Sequence, residues 1–385
     1  MRKYGIITIG YNRVASLKRL LTAIGQVDYK DFEPTLIISL DYANMPEIME
    51  LAEQFQWTKG RKVIKVYEER QGLRKHILGC GDYLEEYDLD AAAVFEDDIV
   101  PSPAFFNYMV QAVEFYKDYR EIAGISLYSD LWNLSSEKPF QPLYSKYDAF
   151  FRQYAVSWGQ IWLRDQWAEF KKWYQENKDS FRKAYGVPAN VSSWGDTSWL
   201  KYHIRYCVEK NKYFVYPYQS LSTNFTDVGT HNSYETTIFQ VPMQVDCSKQ
   251  YLFAKIPETS AVYDVFWENQ KLAEYLGIPE QELCVDLYGS KKNAEEKKYW
   301  LTTQKADFKV IKAYGLKIRP QELNIILDIK GTEIRLYDTE GVYKESKQGL
   351  SLYKKYDYYF KLSRCPWKEQ AKLLLDRFLM RFVKK

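Results

Sequence analysis

The chain lacks several features that mark common classes of protein. Among its 385 residues, no apolar run is long enough to cross a membrane. We find no internal repeat, no low-complexity linker and no Cys-x-x-Cys pair. The five cysteines are an odd number, which fits reduced thiols better than a disulfide framework or a zinc site. These absences favour a cytoplasmic protein over an exported one.

An excess of charge of one sign is also missing. The chain has 54 Lys and Arg residues against 51 Asp and Glu residues, a net charge of +3. This near-balance argues against a nucleic-acid partner. At the start of the chain, Arg2 and Lys3 precede an apolar stretch at 4–9 that is too short for an export signal. We therefore expect a protein that is soluble or held at a membrane surface.

Apolar segments of strand length alternate with helical segments over the first hundred residues. The pattern predicts strands at 4–9, 35–40, 62–67 and 91–95. Helices are predicted between them, the first capped by Ser16 and the third covering 72–84. Such alternation is typical of an α/β fold with a mostly parallel sheet covered by helices on both faces. Ligands of these sheets bind outside the carboxyl ends of the strands.

The fourth predicted strand ends abruptly in three carboxylates, Glu96, Asp97 and Asp98. Three charges at the tip of a buried strand must lie in a crevice, because they cannot stay in a dry core. Carboxylates this close repel one another, and a hard cation such as Mg²⁺ or Mn²⁺ relieves the repulsion. The simpler interpretation is a strand that ends in a solvated acidic turn.

Polar residues also follow the first two strands. Asn12 and Arg13 come after the first strand, and Asp41 comes directly after the second. Because the carboxyl ends of parallel strands meet at one edge of a sheet, we expect these residues and the acidic triplet to converge there. A solvated acidic turn does not explain that convergence.

These residues resemble the nucleotide-sugar glycosyltransferases of the GT-A fold, and most closely the N-acetylglucosaminyltransferase I family. That family carries a Glu-Asp-Asp triplet followed by a Pro-Asp-Phe-Phe-like segment, matched here by Glu96–Asp98 and the sequence at 102–106. Its Trp-Asp-Asp-Trp motif is similar to 194–199, and its Gly-Val-Ser-His loop is similar to 228–231. The resemblance covers roughly residues 4–240.

The resemblance implies how a nucleotide-sugar donor is bound. Asp98 would ligate Mn²⁺ or Mg²⁺, and the cation would bridge the diphosphate. Glu96 and Asp97 would contact the ribose, the sugar or metal-bound water. Asp41 would recognise the base, with uracil as the expected one, and Arg13 would lie near the nucleotide.

The resemblance also implies how the sugar is transferred. Asp196 would be the catalytic base, although Ser-Trp-Gly-Asp is also a good helix-capping sequence. Thr230 and His231 would lie in a loop that closes over the diphosphate. Three tryptophans are candidates for contact with the acceptor sugar: Trp158, Trp194 and Trp199.

Two positions depart from the family pattern. Gly195 stands where the family has the first Asp of its Trp-Asp-Asp motif. The family's base-contacting histidine falls near Leu73, with Arg74 and His76 beside it, so Arg74 is counted among the donor-binding candidates. His76 and His203 lie on predicted helices and are interpreted as structural.

The expected function is an inverting, metal-dependent glycosyltransferase acting in bacterial surface polysaccharide synthesis. Its donor would be a nucleoside-diphosphate sugar and its acceptor a glycan or lipid-linked hydroxyl. A nucleotidyltransferase is an alternative, but the loop at 10–13 has one glycine where such enzymes use a glycine-rich loop. A non-catalytic carbohydrate-binding protein is the other alternative.

We assign residues 1–245 to a catalytic GT-A domain and residues 246–385 to a smaller α+β appendage. In the appendage, 323–329 and 332–337 are predicted to form a hairpin, and helices are predicted to fill much of the rest. Residues 361–385 hold eight Lys and Arg residues, and their apolar residues recur at helical spacing. Such a helix can lie on an anionic membrane, or it can pack on the domain with a solvated basic face.

Overall fold

The computed structural model describes residues 2–181, 186–227, 236–343 and 352–383. Its strands are β1 (Tyr4–Gly10), β2 (Thr35–Leu40), β3 (Lys62–Val66), β4 (Ala91–Glu96), β5 (Ile99–Pro101), β6 (Ile122–Ser126), β7 (Trp132–Asn133), β8 (Lys138–Pro139), β9 (Ala149–Arg152), β10 (Gln160–Leu163), β11 (Tyr213–Pro217), β12 (Ser222–Asn224), β13 (Val262–Tyr263), β14 (Leu283–Asp286), β15 (Tyr299–Thr302), β16 (Phe308–Tyr314) and β17 (Ile334–Val342).

The α-helices are α1 (Val14–Gly25), α2 (Pro46–Gln54), α3 (Gly72–Cys80), α4 (Tyr83–Glu86), α5 (Phe105–Tyr116), α6 (Arg164–Asn177), α7 (Ala189–Ser192), α8 (Leu200–Glu209), α9 (Leu272–Leu276), α10 (Leu323–Ile326), α11 (Leu352–Phe360) and α12 (Trp367–Val383). Short 3₁₀ turns cover Ile256–Glu258, Glu280–Glu282, Ala294–Glu296 and Leu362–Arg364. No helix in the described part of the chain is both long and apolar enough to cross a bilayer.

The chain divides into two compact units. The first comprises Met1–Leu131 and Pro142–Lys271, and the second comprises Trp132–Gln141 and Leu272–Lys385. The first unit thus extends past residue 245, where the sequence analysis placed the domain boundary. The reason is that β13 adds to the sheet of the first unit by pairing in parallel with β9.

A nine-stranded sheet forms the centre of the first unit, in the order β13-β9-β11-β6-β10-β4-β1-β2-β3. The strands β4, β1, β2 and β3 run parallel to one another, whereas β10 is antiparallel to both β4 and β6. All seven residues of β1 are buried, as expected for a strand covered on both faces. The predicted mostly parallel α/β sheet is confirmed.

Helices cover both faces of this sheet. In β10, Ile161 and Leu163 belong to the same buried cluster as side chains of α1 and α5. The residue between them, Trp162, stacks on Trp167 of α6 with ring centroids 3.8 Å apart. Since successive strand residues point to opposite faces, the two groups of helices lie on opposite sides. The predicted helix at 72–84 is broken into α3 and α4 around Gly81.

The second unit contains a four-stranded sheet in the order β14-β15-β17-β16 and the small pair β7-β8. The hairpin predicted at 323–337 is wrong, because its first half is the helical turn α10. Buried Asn324 holds that turn: its side chain accepts the backbone N–H groups of Lys317 and Ile318 and donates to the carbonyl of Gln321. The second half enters β17, which pairs with β15 and β16. Helices α9, α11 and α12 lie in the remainder, as predicted, but strands β14, β15 and β16 lie there too.

The break between α3 and α4 gives a test of the packing on one face of the sheet. A Cβ at Gly81 would lie 1.8 Å from Nε1 of buried Trp167, so Gly81→Ala must displace the indole. Overpacking of this kind costs about 1–3 kcal/mol of unfolding free energy, measurable by urea denaturation. In the control Gly25→Ala, the new Cβ would lie 3.4 Å from Phe55, an ordinary contact. Equal stability of the two variants would contradict the packing described here.

Candidate active site at the carboxyl ends of the strands

A cavity of about 310 Å³ opens at the carboxyl ends of β1, β2 and β4. The loop after β1, the residue after β2 and the end of β4 all line it, as the alternation of strands and helices predicts. Its polar and charged lining residues are Tyr11, Asn12, Arg13, Asp41, Arg70, His76, Glu96, Asp97, Asp98, Thr197 and Asp227. The acidic triplet is therefore part of a concave site and not a solvated turn.

The three carboxylates differ in their surroundings. Glu96 ends β4, and burial together with the charges of Asp98 and Asp97 raises its pKa. Asp97 is 4% exposed, and burial raises its pKa to about 6 even though Arg13 acts in the opposite direction. The side chain of Asp98 is more accessible, at 16% exposure. Of the two aspartates, Asp98 is thus the more open to a ligand in the cavity.

Arg13 compensates the charge of the triplet. Its Nη2 donates to Oδ1 of Asp97, and its Nη1 donates to Oδ2 of Asp98 at 3.2 Å. Burial opposes the charge of the guanidinium, but the attraction of the two carboxylates outweighs burial and raises the pKa of Arg13. The predicted position of Arg13 near a nucleotide is compatible with this pairing, since the residue lines the same cavity.

Asp227 lines the cavity and was not among the predicted site residues. Its Oδ2 accepts from the hydroxyl of Ser16 at 2.7 Å and from the guanidinium of Arg19. Burial works against its ionisation, but these hydrogen bonds prevail and lower the pKa of Asp227. Ser16 is therefore not the cap of α1, which begins at Val14 and has no side-chain capping bond. In the sequence, Asp227 is marked only as a carboxylate within a polar loop.

The pairing of β5 with β12 brings Asp227 to the triplet. Ile99 pairs with Asn224, and the backbone N–H of Phe225 donates to the carbonyl of Asp98 at 2.8 Å. Asp227 follows two residues later and contributes to the raised pKa of Asp97 through its charge. Asp97 and Asp227 are 130 positions apart in the chain, so local sequence patterns cannot predict that they interact.

Asp41 is buried and bound by the backbone. Its Oδ1 accepts the N–H groups of Tyr42 at 2.9 Å and Gln71 at 2.7 Å, and its Oδ2 accepts the N–H of Gly72 at 2.9 Å. A carboxylate in this position satisfies free N–H groups at the start of α3. Asp41 shapes the cavity wall through these bonds, and its predicted contact with a nucleotide base stays a prediction.

Asp196 lies in a turn that is closed by a hydrogen bond from the N–H of Ser198 to the carbonyl of Gly195 at 3.1 Å. Its side chain is fully exposed. Because α8 begins only at Leu200, Asp196 is not the cap of that helix. The next residue, Thr197, lines the cavity that holds the triplet. The structure therefore places Asp196, the predicted base, next to a residue that lines this cavity.

Two cations hold the turn that carries Asp196. Arg74 donates from Nη1 to the backbone carbonyl of Asp196 at 3.2 Å and from Nε to the hydroxyl of Tyr174 at 2.7 Å. Lys201, only 3% exposed, donates to the carbonyl of Trp194 at 3.1 Å and lies 3.5 Å from Oδ1 of Asp196. Arg74, predicted to bind the donor, is placed here as a support of this turn.

The predicted acceptor tryptophans have different environments. Trp199 is 3% exposed and packs against Trp162 and Trp167, so its ring belongs to the core and has no open face for a sugar. Trp158 and Trp194 are half-buried, and Trp158 contacts the ring of Tyr128. Neither lines the cavity of the triplet.

The histidines support the structural interpretation. Buried His76 lies 2.7 Å from the hydroxyl of Ser39 through Nε2, and burial lowers its pKa to about 4. His203 is fully buried, stacks on Phe170, and has a pKa lowered by burial to about 3. Both rings are neutral at pH 7. The predicted diphosphate-loop residues Thr230 and His231 lie outside the described residues.

The carboxylate oxygens that line the cavity are suitable ligands for a hard cation. No group of three or more His, Cys, Asp or Glu side chains in the described ranges is arranged to hold a metal by itself. Mg²⁺ is typically held by one or two carboxylates together with substrate phosphates and water, without a complete protein cage. The accessible carboxylate of Asp98, with Asp227 in the same cavity, suits that kind of binding.

Comparison with known proteins shows no matching family model and no matching curated protein. Solved structures that resemble the chain include S. aureus TarS 1–349 in complex with UDP-GlcNAc, at 12% identity and a TM-score of 0.38 over 60% of each chain. Others are the mannosyltransferase PcManGT from Pyrobaculum calidifontis with GDP-Man and Mn²⁺ (15%, 0.32, 50% of this chain and 51% of that one) and GalNAc-T7 with UDP, GalNAc and Mn²⁺ (12%, 0.40, 56% and 42%).

The chain spans about three fifths or less of the length of each of these proteins. At such low identity and TM-score the likeness carries no argument about activity. The predicted relationship to the N-acetylglucosaminyltransferase I family stays a prediction. What the chain does must be inferred from its own residues.

The raised pKa of Asp97 makes the stability of the protein depend on pH. The folded protein holds this proton more tightly than the unfolded chain, in which the pKa is near its ordinary value of 3.8. The stabilisation is therefore complete below about pH 4 and is lost as the pH rises through about 6. The neutral variant Asp97→Asn should match the wild type near pH 4 and exceed its unfolding free energy by about 3 kcal/mol at pH 7.5.

Chemical denaturation at the two pH values measures this difference. Asp118→Asn, which neutralises an exposed carboxylate of the same unit, is the matched control and should show little change at either pH. A stability difference for Asp97→Asn that is the same at both pH values would contradict the assigned protonation.

Proposed function

We propose that the chain is an inverting, metal-dependent glycosyltransferase that moves a sugar from a nucleoside diphosphate, with UDP as the expected nucleotide, to an acceptor hydroxyl. The convergence of Glu96–Asp98, Arg13 and Asp227 in one cavity at the carboxyl ends of the strands carries this proposal. A GT-A-type sheet with an Asp-containing crevice at this edge is what the resemblance in the sequence implies. The catalytic role falls to the first compact unit.

Asp98 is the residue that would hold Mn²⁺ or Mg²⁺ in this cavity. The cation would neutralise the diphosphate leaving group as the bond to the sugar breaks. Arg13 keeps Asp97 and Asp98 compensated when no substrate is present. Its guanidinium is also suited to a phosphate oxygen, because it presents several donors in a fixed plane.

Asp196 would remove the proton from the attacking acceptor hydroxyl. Its side chain is fully exposed at the border of the cavity, so an acceptor can reach it. The contacts of Arg74 and Lys201 with its turn limit the positions that the carboxylate adopts. A base held on the side of the acceptor is what an inverting displacement requires.

Substitution of Asp98 and Asp196 separates donor binding from catalysis. UDP with Mn²⁺ should raise the melting temperature of the wild type. At a hundredfold excess over Kd, the ligand adds about 2.7 kcal/mol to the free energy of unfolding. Asp98→Asn should abolish that shift. Asp196→Asn should keep it and lose about 100-fold or more in transfer and in slow donor hydrolysis.

Differential scanning fluorimetry and a coupled UDP-release assay measure the two effects. Asp118→Asn serves again as the exposed control and should retain both. Stabilisation of wild-type protein by nucleoside triphosphates with no response to nucleoside diphosphates would favour a nucleotidyltransferase. Normal transfer by Asp196→Asn would reject the assigned base.

We also propose that helix α12 holds the protein at the inner face of a bacterial membrane, where a lipid-linked acceptor for surface polysaccharide would lie. Its apolar residues Trp367, Leu374, Leu375 and Phe378 are between 56% and 73% exposed. Residues 361–385 hold eight of the 54 basic residues and two of the 51 acidic ones, so the rest of the chain is slightly acidic. Each Lys or Arg near an anionic surface contributes about 1 kcal/mol.

Co-sedimentation with vesicles tests this surface. The wild type should bind vesicles that contain phosphatidylglycerol and leave pure phosphatidylcholine vesicles largely free. Leu374→Ser with Phe378→Ser should lose most of that binding, since each substitution removes apolar area that the membrane would bury. The control Ile238→Ser with Val245→Ser changes two exposed apolar residues of the first unit and should bind as the wild type does. Equal binding by both double variants would refute the assignment.

A further inference from the structure

A second and larger cavity adjoins the donor cavity in the first unit. Its volume is about 710 Å³, and it is lined by residues of α3, α6 and the turn at 195–198. The two cavities share Gly72, Leu73 and Thr197. Asp196 lines the larger one. We call this second cavity the α3–α6 cleft.

Cations outnumber anions in the α3–α6 cleft. Its basic residues are Arg74, Lys75, Lys171 and Lys178, and its acidic residues are Asp82 and Asp196. Asp82 is already paired with Lys171. The cleft therefore has the opposite charge balance from the neighbouring donor cavity.

The contacts of Arg74, Lys178 and Lys75 neutralise little of their positive charge. Arg74 donates to three neutral acceptors: the hydroxyl of Tyr174 and two backbone carbonyls. Lys178 donates to the neutral amide oxygen of Gln175 at 3.1 Å. Lys75 lies 4.0 Å from the exposed carboxylate of Glu69, at the limit of an ion pair. A cleft lined mainly by one sign of charge concentrates ligands of the opposite sign.

We infer that the α3–α6 cleft binds an anionic acceptor, a sugar that carries a phosphate or carboxylate group, with Lys75 and Lys178 contacting the anion. The inference rests on the proposed function, because it makes the cleft the acceptor side of the same reaction. Asp196 lines this cleft and directly precedes Thr197, which both cavities share, so an acceptor hydroxyl in the cleft can approach it. The basic lining of the cleft would select an anionic acceptor, and the acidic cavity beside it would bind the donor together with its cation.

Isothermal titration calorimetry of the full chain at low salt tests this directly. The probes are glucose 6-phosphate, glucuronate and glucose, which differ in the charged group but share the sugar ring. Either or both anionic probes should bind the wild type more tightly than glucose does. Lys75→Gln with Lys178→Gln should weaken that binding by about tenfold or more, because two charged hydrogen bonds are lost.

The control is Lys59→Gln with Lys210→Gln, which removes the same charge from exposed positions of the same unit outside the cleft. Its affinity for the anionic probes should equal that of the wild type. Preference for glucose 6-phosphate or for glucuronate identifies the phosphate or the carboxylate as the recognised group. Binding of all three probes with equal affinity, or equal losses in both double variants, would overturn the inference.

Stabilisation by UDP with Mn²⁺ keeps this result separate from the proposed function. The Lys75→Gln, Lys178→Gln variant should retain the full shift in melting temperature, since neither lysine lines the donor cavity. Loss of that shift in the double variant would place the lysines at the donor and reject the acceptor role. Failure of the wild type to respond to UDP with Mn²⁺ would instead refute the donor site.

Discussion

The ion pairs of Arg13 with Asp97 and Asp98 decide how the carboxyl ends of the strands are arranged. Strand β4 must deliver its carboxylates to this edge because the rest of the strand is buried. Without a nearby cation, two of them would remain in a poorly solvated crevice, at a cost of several kcal/mol. Arg13, placed directly after β1, is the residue that the parallel pairing of β1 with β4 brings into reach.

A second strand pairing, of β5 with β12, constrains the chain far from the triplet. Strand β5 follows the acidic turn and recruits β12, and the segment after β12 delivers Asp227 to the start of α1. Asp41 acts similarly on the other side, where its carboxylate holds the N-terminus of α3. Both anions line the cavity, and each is bound near the N-terminal end of a helix. The cavity is an outcome of backbone pairing and of these carboxylate contacts together.

Local sequence patterns predict the first four strands of the large sheet and the edge where ligands gather, because strand alternation and buried apolar runs are short-range signals. They fail where a distant contact decides the structure. Asn324 turns an isoleucine-rich segment into α10, and Ser16 pairs with Asp227 instead of capping α1. Trp199 shows the same limit, since helical spacing cannot tell a core tryptophan from one that faces a sugar. Tertiary context overrides propensity in each case.

The turn at 195–198 connects the two charge environments of the first unit. Thr197 contributes to both cavities, while Asp196 extends from the turn into solvent. Arg74 and Lys201 fix this turn from inside the fold, through bonds to its carbonyl groups and to the carboxylate. This turn thus lies where the acidic and the basic cavity meet, and the carboxylate of Asp196 is accessible from solvent. The proposed base and the boundary between the two cavities therefore share one local structure, the turn that the buried Lys201 supports.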